Sequence, residues 1–240
     1  MVSRPTADGE DYIPSARLGR VTVVPARPCH LDGMAACFAA CFPGVFTMRM
    51  GYPFTRAFCC AYLEHSCGIA FVALEPEAGA VVGLVLGGDR HIRTQFLAAA
   101  PKRFWARLFI RALVDGVVRR SVLQEIRSRL WPTREPAPGP GGSNPFAQVA
   151  PVMLSLLQVI AVEDAWRGRG VAAGLMEAFR AASLDRGYVG MGLTVDRHNS
   201  RAVAFYRKMG WQVVAESGET LFMQRLFAGE PEGSCAAVRP

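Results

Sequence analysis

The sequence predicts an α/β (α+β) fold in which about seven short strands form one sheet flanked by helices. Apolar runs of strand length alternate with longer stretches in which apolar residues recur at helical spacing. A basic turn with two glycines, at 167–170, separates an apolar strand from an amphipathic helix. At 240 residues the chain is long enough for one core that carries an additional segment.

The N-terminal half is predicted to contain one strand, two helices and a hairpin. The predicted elements are a strand over 20–25, helices over 30–42 and 55–65, and hairpin strands over 69–74 and 81–87. Pro43 and Gly44 end the first helix, because neither residue extends a helix well. Residues 1–19 are polar and without periodicity, and we expect them to form a loose arm.

The C-terminal half continues the alternation of strands and helices. The predicted elements are a strand over 152–162, a helix over 170–185, a strand over 188–195, a helix over 199–209, and hairpin strands over 211–215 and 219–226. Gly187 and Gly210 end the two helices, since glycine is the usual residue just past a helix end. These elements predict one domain over 20–226, followed by a disordered tail over 227–240.

Residues 89–149 are predicted to form a basic insertion between the third and fourth strands. Eleven of the 27 Lys and Arg residues, but only four of the 20 acids, lie between 89 and 135. The whole net charge of +7 therefore belongs to this segment. Over 102–131, apolar and charged residues occupy opposite sides of two predicted helices. Five prolines and three glycines over 132–145 predict a flexible tether.

Composition excludes several classes of protein. Apolar residues make up 51% and charged residues 20%, which excludes wholesale disorder. No apolar run reaches the roughly 18 residues of a membrane-spanning helix, and no secretory signal begins the chain, so we expect a cytoplasmic protein. The seven cysteines form no Cys-x-x-Cys pair, and Cys37 and Cys41 have no further ligand nearby. We therefore predict reduced, buried thiols and no metal site.

The turn Arg167-Gly168-Arg169-Gly170 predicts a site for a phosphate group. The helix that follows begins with backbone N–H groups that lack an intrahelical partner, and its dipole places partial positive charge there. The two glycines let the backbone approach an anion without a Cβ, and the two arginines add positive charge. The spacing matches neither the P-loop nor the Gly-x-Gly-x-x-Gly of dinucleotide folds.

Two motifs, in order, resemble the GNAT N-acetyltransferase superfamily. Arg167 to Ala172 matches its Gln/Arg-x-x-Gly-x-Gly/Ala signature, and Asn199 to Trp211 is similar to its Asn-x-x-Ala-x-x-x-Tyr-x-x-x-Gly-aromatic helix. The resemblance is firm over 150–226, weaker over 20–88 and uninformative over 89–149. It implies a GNAT-like central mixed, mostly antiparallel sheet that binds acetyl-CoA and transfers its acetyl group.

The resemblance also implies roles for individual residues. In the family two central strands separate, and the free edge of one accepts the pantetheine arm, with an N–H near Ile160 here bonding the thioester oxygen. The residues implied to bind acetyl-CoA are Ile160, Ala161, Val162, Arg167, Gly168, Arg169, Gly170, Val171, Ala172, Asn199 and Tyr206. Asn199 is expected both to cap its helix and to contact the cofactor arm.

Tyr206 is the predicted general acid, because a protonated phenol can supply a proton to the departing thiolate. No general base is evident, since the strand over 152–162 contains no acid. Gln158, a polar residue in that strand, either faces the substrate cleft or binds a buried water. Glu163 is a further catalytic candidate, although an acid at this place more often complements a helix dipole. His198 either relays a proton or is an exposed residue at the start of a helix.

We expect direct transfer of an acetyl group from acetyl-CoA to an amine of a small molecule or amino sugar. The alternative is a catalytically silent CoA-binding module whose basic insertion docks a partner or a membrane surface. The missing base favours the alternative, whereas Tyr206 and Asn199 argue for catalysis. The sequence leaves open whether the protein forms a homodimer.

For the basic insertion we favour a lid over the acceptor site, with its arginines in solvent. Peripheral membrane contact through 102–131 and an acidic partner are less favoured, although arginines opposite an aromatic face do suit an interfacial helix. Nucleic acid is not favoured, because no recognised binding motif accompanies the charge.

Overall fold

A computed structural model describes residues 17–18, 21–43, 50–100 and 153–227. The predicted helices over 102–131 and the predicted tether over 132–145 lie outside the described residues. So do the predicted tail beyond 227 and all of the predicted arm except a short strand at its end.

Within the described part of the chain, eight strands form one sheet in the order β1-β2-β3-β4-β5-β6-β8-β7. Their bounds are β1 Arg17–Leu18, β2 Val21–Pro25, β3 Gly68–Leu74, β4 Val81–Gly88, β5 Leu154–Val162, β6 Gly190–Asp196, β7 Gln212–Ser217 and β8 Thr220–Leu226. The β5–β6 pair is parallel and every other neighbouring pair is antiparallel. The mixed, mostly antiparallel sheet is therefore confirmed, and its seven predicted strands are joined by the two-residue β1.

Five α-helices of the described residues flank the sheet. Their bounds are α1 Leu31–Cys41, α2 Tyr52–Glu64, α3 His91–Ala98, α4 Val171–Asp185 and α5 Ser200–Lys208. Helix α2 begins three residues earlier than predicted, because Pro53 is tolerated in a first helical turn. Helix α3 was not predicted, since its eight residues show little amphipathic pattern and are held by packing of Ile92 and Phe96 against α2.

Two clusters of buried side chains form the core, one on each face of the sheet. The first cluster joins α1, α2 and α3 to β3 and β4, with Met34, Phe58 and Leu84 among its members. The second joins α4 and α5 to both halves of the sheet and includes Phe179 and Met191. Among the described residues, the first cluster has no member from β6, β7 or β8. The described helices of that face therefore leave its β6–β8 half uncovered.

Strands β5 and β6 pair over only a fraction of their length. Their register joins Leu154 to Gly190 and ends with Leu156 opposite Gly192. Strand β6 nevertheless pairs with β8 along its whole length, and β5 pairs with β4 as far as Val162. Beyond the third pair, the two parallel strands therefore separate and leave a gap in the sheet.

No described helix is both long enough and apolar enough to span a membrane.

Candidate active site

The edge of β5 that faces the gap carries unpaired backbone groups. Glu163 donates its N–H to the carbonyl of Val82 at 3.0 Å, so this residue faces β4. Hydrogen-bonded pairs alternate along antiparallel strands, and therefore Ile160 and Val162 turn their N–H and C=O groups toward β6. The Val162 carbonyl agrees with this direction, because it accepts a hydrogen bond from Nε of Arg167 at 2.9 Å.

A β-bulge at Gln158 sets which side chains of β5 face which helices. Leu157 lies opposite Gly87 and Val159 lies opposite Leu86, so Gln158 is an extra residue without a partner. Leu157, before the bulge, and Ile160, after it, both pack in the second cluster, on the side of the sheet that α4 covers. The Gln158 side chain is exposed. This excludes the predicted alternative in which it binds a buried water.

The predicted phosphate turn adopts the backbone conformation that only glycine favours. Gly168 and Gly170 have φ angles of +76° and +83°. Gly170 is the N-cap of α4 and no side chain caps this helix. The first intrahelical bond runs from the N–H of Gly174 to the Gly170 carbonyl, so the N–H groups of 171–173 have no partner within the helix. The turn thus presents free donors at the positive end of α4.

The two arginines of the turn have different environments. Arg167 bonds the Val162 carbonyl and forms an ion pair with Asp164, and its side chain is 32% exposed. Arg169 is exposed, and its guanidinium lies 5.2 Å from the ring centroid of Trp166. The sequence argument gave both arginines the same role, because spacing alone does not show which of them is held by the strand end.

Asn199 and Tyr206 lie at the start and near the end of α5. The Oδ1 atom of Asn199 accepts the N–H of Ala202 at 3.1 Å, so the predicted helix cap is present. Tyr206 is 9% exposed, and its ring packs between Phe205 and Trp211 at centroid distances of 5.4 and 5.7 Å. Burial raises the pKa of Tyr206 to about 12, so the phenol keeps its proton at neutral pH.

Sequence reasoning missed the buried indole next to Tyr206. Trp211 is 2% exposed, and its Nε1 atom is a buried donor without a described hydrogen-bond partner. The glycine-aromatic ending of the motif predicted the aromatic ring, but nothing in the sequence indicates that its N–H is unpartnered.

The candidate acids lie apart from Tyr206. Glu163 is half-buried and lies two residues after Ala161, on the α1 face of the sheet, whereas Tyr206 belongs to the cluster on the α4 face. His198 is exposed, and its Nε2 lies 4.0 Å from the Glu219 carboxylate. Within the described ranges, no group of three or more potential ligands is placed to hold a metal ion.

A cavity of about 580 Å³ lies elsewhere, where the C-terminal ends of α2 and α4 meet the start of β3. Its wall includes Arg186, which donates to the Gly68 carbonyl. The fifteen residues of α4, about 22 Å of helix, separate this cavity from the phosphate turn. It is therefore not part of the candidate active site.

Comparison with known protein families shows what this part of the chain is similar to. Residues 142–213 match the family model described as the acetyltransferase (GNAT) domain. This part of the chain is therefore similar to a GNAT acetyltransferase domain, and the match includes both the phosphate turn and α5. GNAT domains bind acetyl-CoA and transfer its acyl group.

Solved structures of GNAT acetyltransferases share the fold. SsHAT is 24% identical, with a TM-score of 0.50, over 86% of this chain and 98% of that chain. A GCN5-related N-acetyltransferase from Kribbella flavida is 14% identical, with a TM-score of 0.52, over 87% and 98%. PaiA N-acetyltransferase from Thermoplasma acidophilum, in complex with coenzyme A, is 9% identical, with a TM-score of 0.51, over 86% and 99%. No curated protein sequence matches the chain significantly.

Proposed function

We propose that this protein transfers the acetyl group of acetyl-CoA to an amine of a small molecule or amino sugar by direct attack on the thioester. The observation that carries the proposal is the unpaired edge of β5, which leads from the gap in the sheet to the phosphate turn. Along this edge, backbone groups of β5 are free to bond the extended pantetheine arm of acetyl-CoA. At the end of the edge, N–H groups at the start of α4 are free to bind its pyrophosphate.

In this proposal the pyrophosphate of acetyl-CoA lies on the turn at Gly168 and Gly170, against the free N–H groups of 171–173. The pantetheine arm continues along β5 as an additional strand and forms hydrogen bonds with the backbone N–H and C=O groups of Ile160 and Val162 that face the gap. Arg169 contributes charge from the surface, while Arg167 holds the end of β5.

The proposed reaction needs an acceptor on the side of the sheet opposite α4. The amine nitrogen attacks the thioester carbonyl carbon, and the Ile160 N–H stabilises the charge that develops on the carbonyl oxygen. The C–S bond then breaks, and the departing thiolate takes the proton of Tyr206. The acylated nitrogen loses one proton to solvent, and a proton from solvent restores the Tyr206 phenol. We place the acceptor on the β6 face that the described helices leave uncovered, where the Thr194 side chain is exposed.

An amine that is already neutral needs no protein base in this mechanism. The candidate acid Glu163 lies on the α1 face and Tyr206 on the α4 face, so we assign Glu163 no proton transfer with Tyr206. Gln158, exposed at the bulge, is proposed to contact the acceptor. The attack rate should then follow the neutral fraction of the amine and rise with pH toward the pKa of the acceptor.

Titration calorimetry with acetyl-CoA, followed by thiol release in the presence of an amine panel, tests the proposal. Gly170→Asp should abolish measurable binding, because it places a carboxylate at the proposed pyrophosphate site. Gly187→Asp is the matched control, since Gly187 also has a positive φ of +76° but lies at the opposite end of α4. The control should bind as the wild type does.

The outcomes separate the alternatives. Wild-type affinity in a folded Gly170→Asp variant would contradict the assignment of the turn. Binding of acetyl-CoA by the wild type without thiol release for any amine would instead support the catalytically silent module.

A further inference from the structure

We propose that the cavity of about 580 Å³ at the C-terminal end of α4 is a binding site for an aromatic α-amino acid, whose carboxylate binds Arg186 and whose ammonium group binds Asp185. The acetyl transfer described above uses neither this cavity nor these two residues. The proposal therefore does not rest on the proposed function, and it assigns the cavity a ligand of its own.

The cavity lies beyond the end of β2, at the margin of the sheet. The last residue of β2, Pro25, lies opposite Phe71 of β3. Ala26 adds one further hydrogen bond, from its N–H to the Ala70 carbonyl at 2.9 Å. The first residues of β3 therefore extend past β2, and the cavity lies beside them, between the C-terminal ends of α2 and α4.

The open edge of β3 holds Arg186 at the wall of the cavity. Backbone groups of residues two apart face the same edge of a strand, so the Gly68 carbonyl points the same way as the Ala70 carbonyl. The Gly68 carbonyl accepts its hydrogen bond from Nη1 of Arg186. A guanidinium has five N–H donors, so other donors of Arg186 are available to a ligand. Two parallel hydrogen bonds to a carboxylate are the geometry that this planar group favours.

Asp185 places a negative charge directly next to this positive one. It is the last residue of α4 and Arg186 is the C-cap; both are exposed, and both line the cavity. The C-terminal end of a helix also carries partial negative charge, which favours a bound cation. An α-amino acid has its ammonium and carboxylate groups on one carbon atom, so it matches two adjacent opposite charges. A ligand with phosphate groups alone would instead be repelled by Asp185.

Tyr62 of α2 contributes a hydroxyl without a partner to the wall. The residue is 2% exposed, lines the cavity and packs edge-on against Phe58, with ring centroids 5.1 Å apart. Among the described residues, its hydroxyl has no hydrogen-bond partner. Burial raises the pKa of Tyr62, so the hydroxyl keeps its proton and can donate it to a hydrogen bond. A buried hydroxyl without a partner costs free energy, and a polar atom of a ligand in the cavity would remove that cost.

The rest of the wall is apolar and suits an aromatic side chain. The apolar lining residues come from both faces of the sheet and include Pro25, Leu63, Ile69, Phe71 and Ala182. Sites for small molecules combine apolar walls of this kind with a few polar groups and have volumes of about 300–1,000 Å³. The volume of about 580 Å³ lies in this range and exceeds what a small aliphatic side chain fills. We therefore assign the site to the aromatic amino acids.

Titration calorimetry on the full-length protein, with L-tryptophan, L-phenylalanine and L-tyrosine as probes, tests the proposal. At least one of them should show saturable binding to one site per chain. For that amino acid, the amine that lacks the carboxylate and the arylpropionate that lacks the ammonium group should each bind at least about tenfold more weakly, because each leaves one charge of the wall unmatched. Absence of saturable binding for all three amino acids, or equal affinity for the amine, would overturn the proposal.

Three variants locate the binding within the molecule. Arg186→Gln and Asp185→Asn should each lower the affinity for the bound amino acid at least about tenfold, since each removes one charge from the wall. Tyr62→Phe should lower it several-fold, because the ring packing is retained and only the hydroxyl is lost. Circular dichroism verifies that each variant is folded. Asp185→Asn and Tyr62→Phe keep the test decisive if Arg186→Gln, which also loses the bond to the Gly68 carbonyl, does not fold.

Arg180→Gln is the matched control. Arg180 lies on the same helix, is paired with Glu177 at 2.7 Å and is not part of the cavity wall, so this variant should bind the amino acid as the wild type does. Wild-type affinity in folded Asp185→Asn and Tyr62→Phe would place the bound amino acid elsewhere and overturn the proposal.

Discussion

At the scale of single residues, neighbouring side chains of one type perform different tasks because their packing differs. Arg167 is tied to the Val162 carbonyl and Asp164, whereas Arg169, two residues later, extends over Trp166 at the surface. Tyr206 illustrates the same dependence. Its enclosure by Phe205 and Trp211 raises the pKa of its phenol to about 12, which keeps the proton on the residue that we propose to supply it.

Tyr206→Phe should lower kcat by roughly 10- to 1000-fold, the range for a single general acid. The ring packing is retained and only the hydroxyl is lost, so the acetyl-CoA dissociation constant should change little. Steady-state thiol release and calorimetry measure the two quantities. Tyr188→Phe is the control, since Tyr188 is a buried tyrosine of the same cluster that lies outside both motifs. A wild-type rate in Tyr206→Phe would mean that water or another residue donates the proton.

At the scale of elements, β5 combines two irregularities that position the site. It leaves β6 after Leu156, and the bulge at Gln158 turns the side chains of Ile160 and Val162 toward α4. Helix α4 packs closely against the sheet next to this bulge, where Phe179 contacts Gly87 of β4. A Cβ at Gly87 would meet the Leu156 carbonyl oxygen at 2.3 Å and the Phe179 ring at 2.5 Å.

Gly87→Ala should therefore lower the free energy of unfolding by about 3 kcal/mol, the upper end of the usual cost of overpacking. The clash is with backbone, which cannot move aside without breaking the β4–β5 pairing. Gly192→Ala is the matched control in a neighbouring buried strand. Its Cβ would meet flexible side chains, Leu156 at 3.0 Å and Leu154 at 3.7 Å, and we expect a cost below about 1 kcal/mol. Urea unfolding measures both, and equal costs would contradict this account of the β4–α4 contact.

At the scale of the whole molecule, the surplus of positive charge is separated in sequence from the motifs that we propose to bind acetyl-CoA. The segment with this charge leaves the described structure after Ala100 and returns before Met153. Strands β4 and β5 nevertheless pair directly, with Gly88 opposite Leu156, so the sheet itself holds the chain on both sides of the segment. Paired residues on neighbouring strands lie only about 5 Å apart.

Replacing residues 101–145 with a short Gly/Ser linker should thus leave a folded domain that binds acetyl-CoA with wild-type affinity. If the segment is a lid, the KM for the amine should rise sharply while acetyl-CoA affinity persists. If it contacts membranes, kinetics with soluble amines should stay the same and salt-sensitive cosedimentation with anionic vesicles should disappear. Calorimetry, amine kinetics and vesicle binding provide the measurements. An insoluble product would contradict both interpretations and indicate that Phe104, Trp105 and Leu108 belong to the main core.

The sequence by itself determined the features that depend on residues close together in the chain. Apolar periodicity predicted the seven longer strands, and Asn199 predicted a cap that the structure contains. The paired motifs predicted the GNAT acetyltransferase domain that residues 142–213 match, because glycine conformation and helix ends act within one or two turns of chain. Helix α3 was missed for the complementary reason, since eight residues with one buried side chain carry little local signal.

Only the tertiary structure decided the separation of β5 from β6 and the close approach of Phe179 to Gly87. Each depends on contacts between segments far apart in sequence, since β5 pairs with β6 across α4, and the Phe179 ring of α4 packs over Gly87 of β4. A contact of that kind forms only when packing on the sheet brings its partners together, and local periodicity contains no information about that distance.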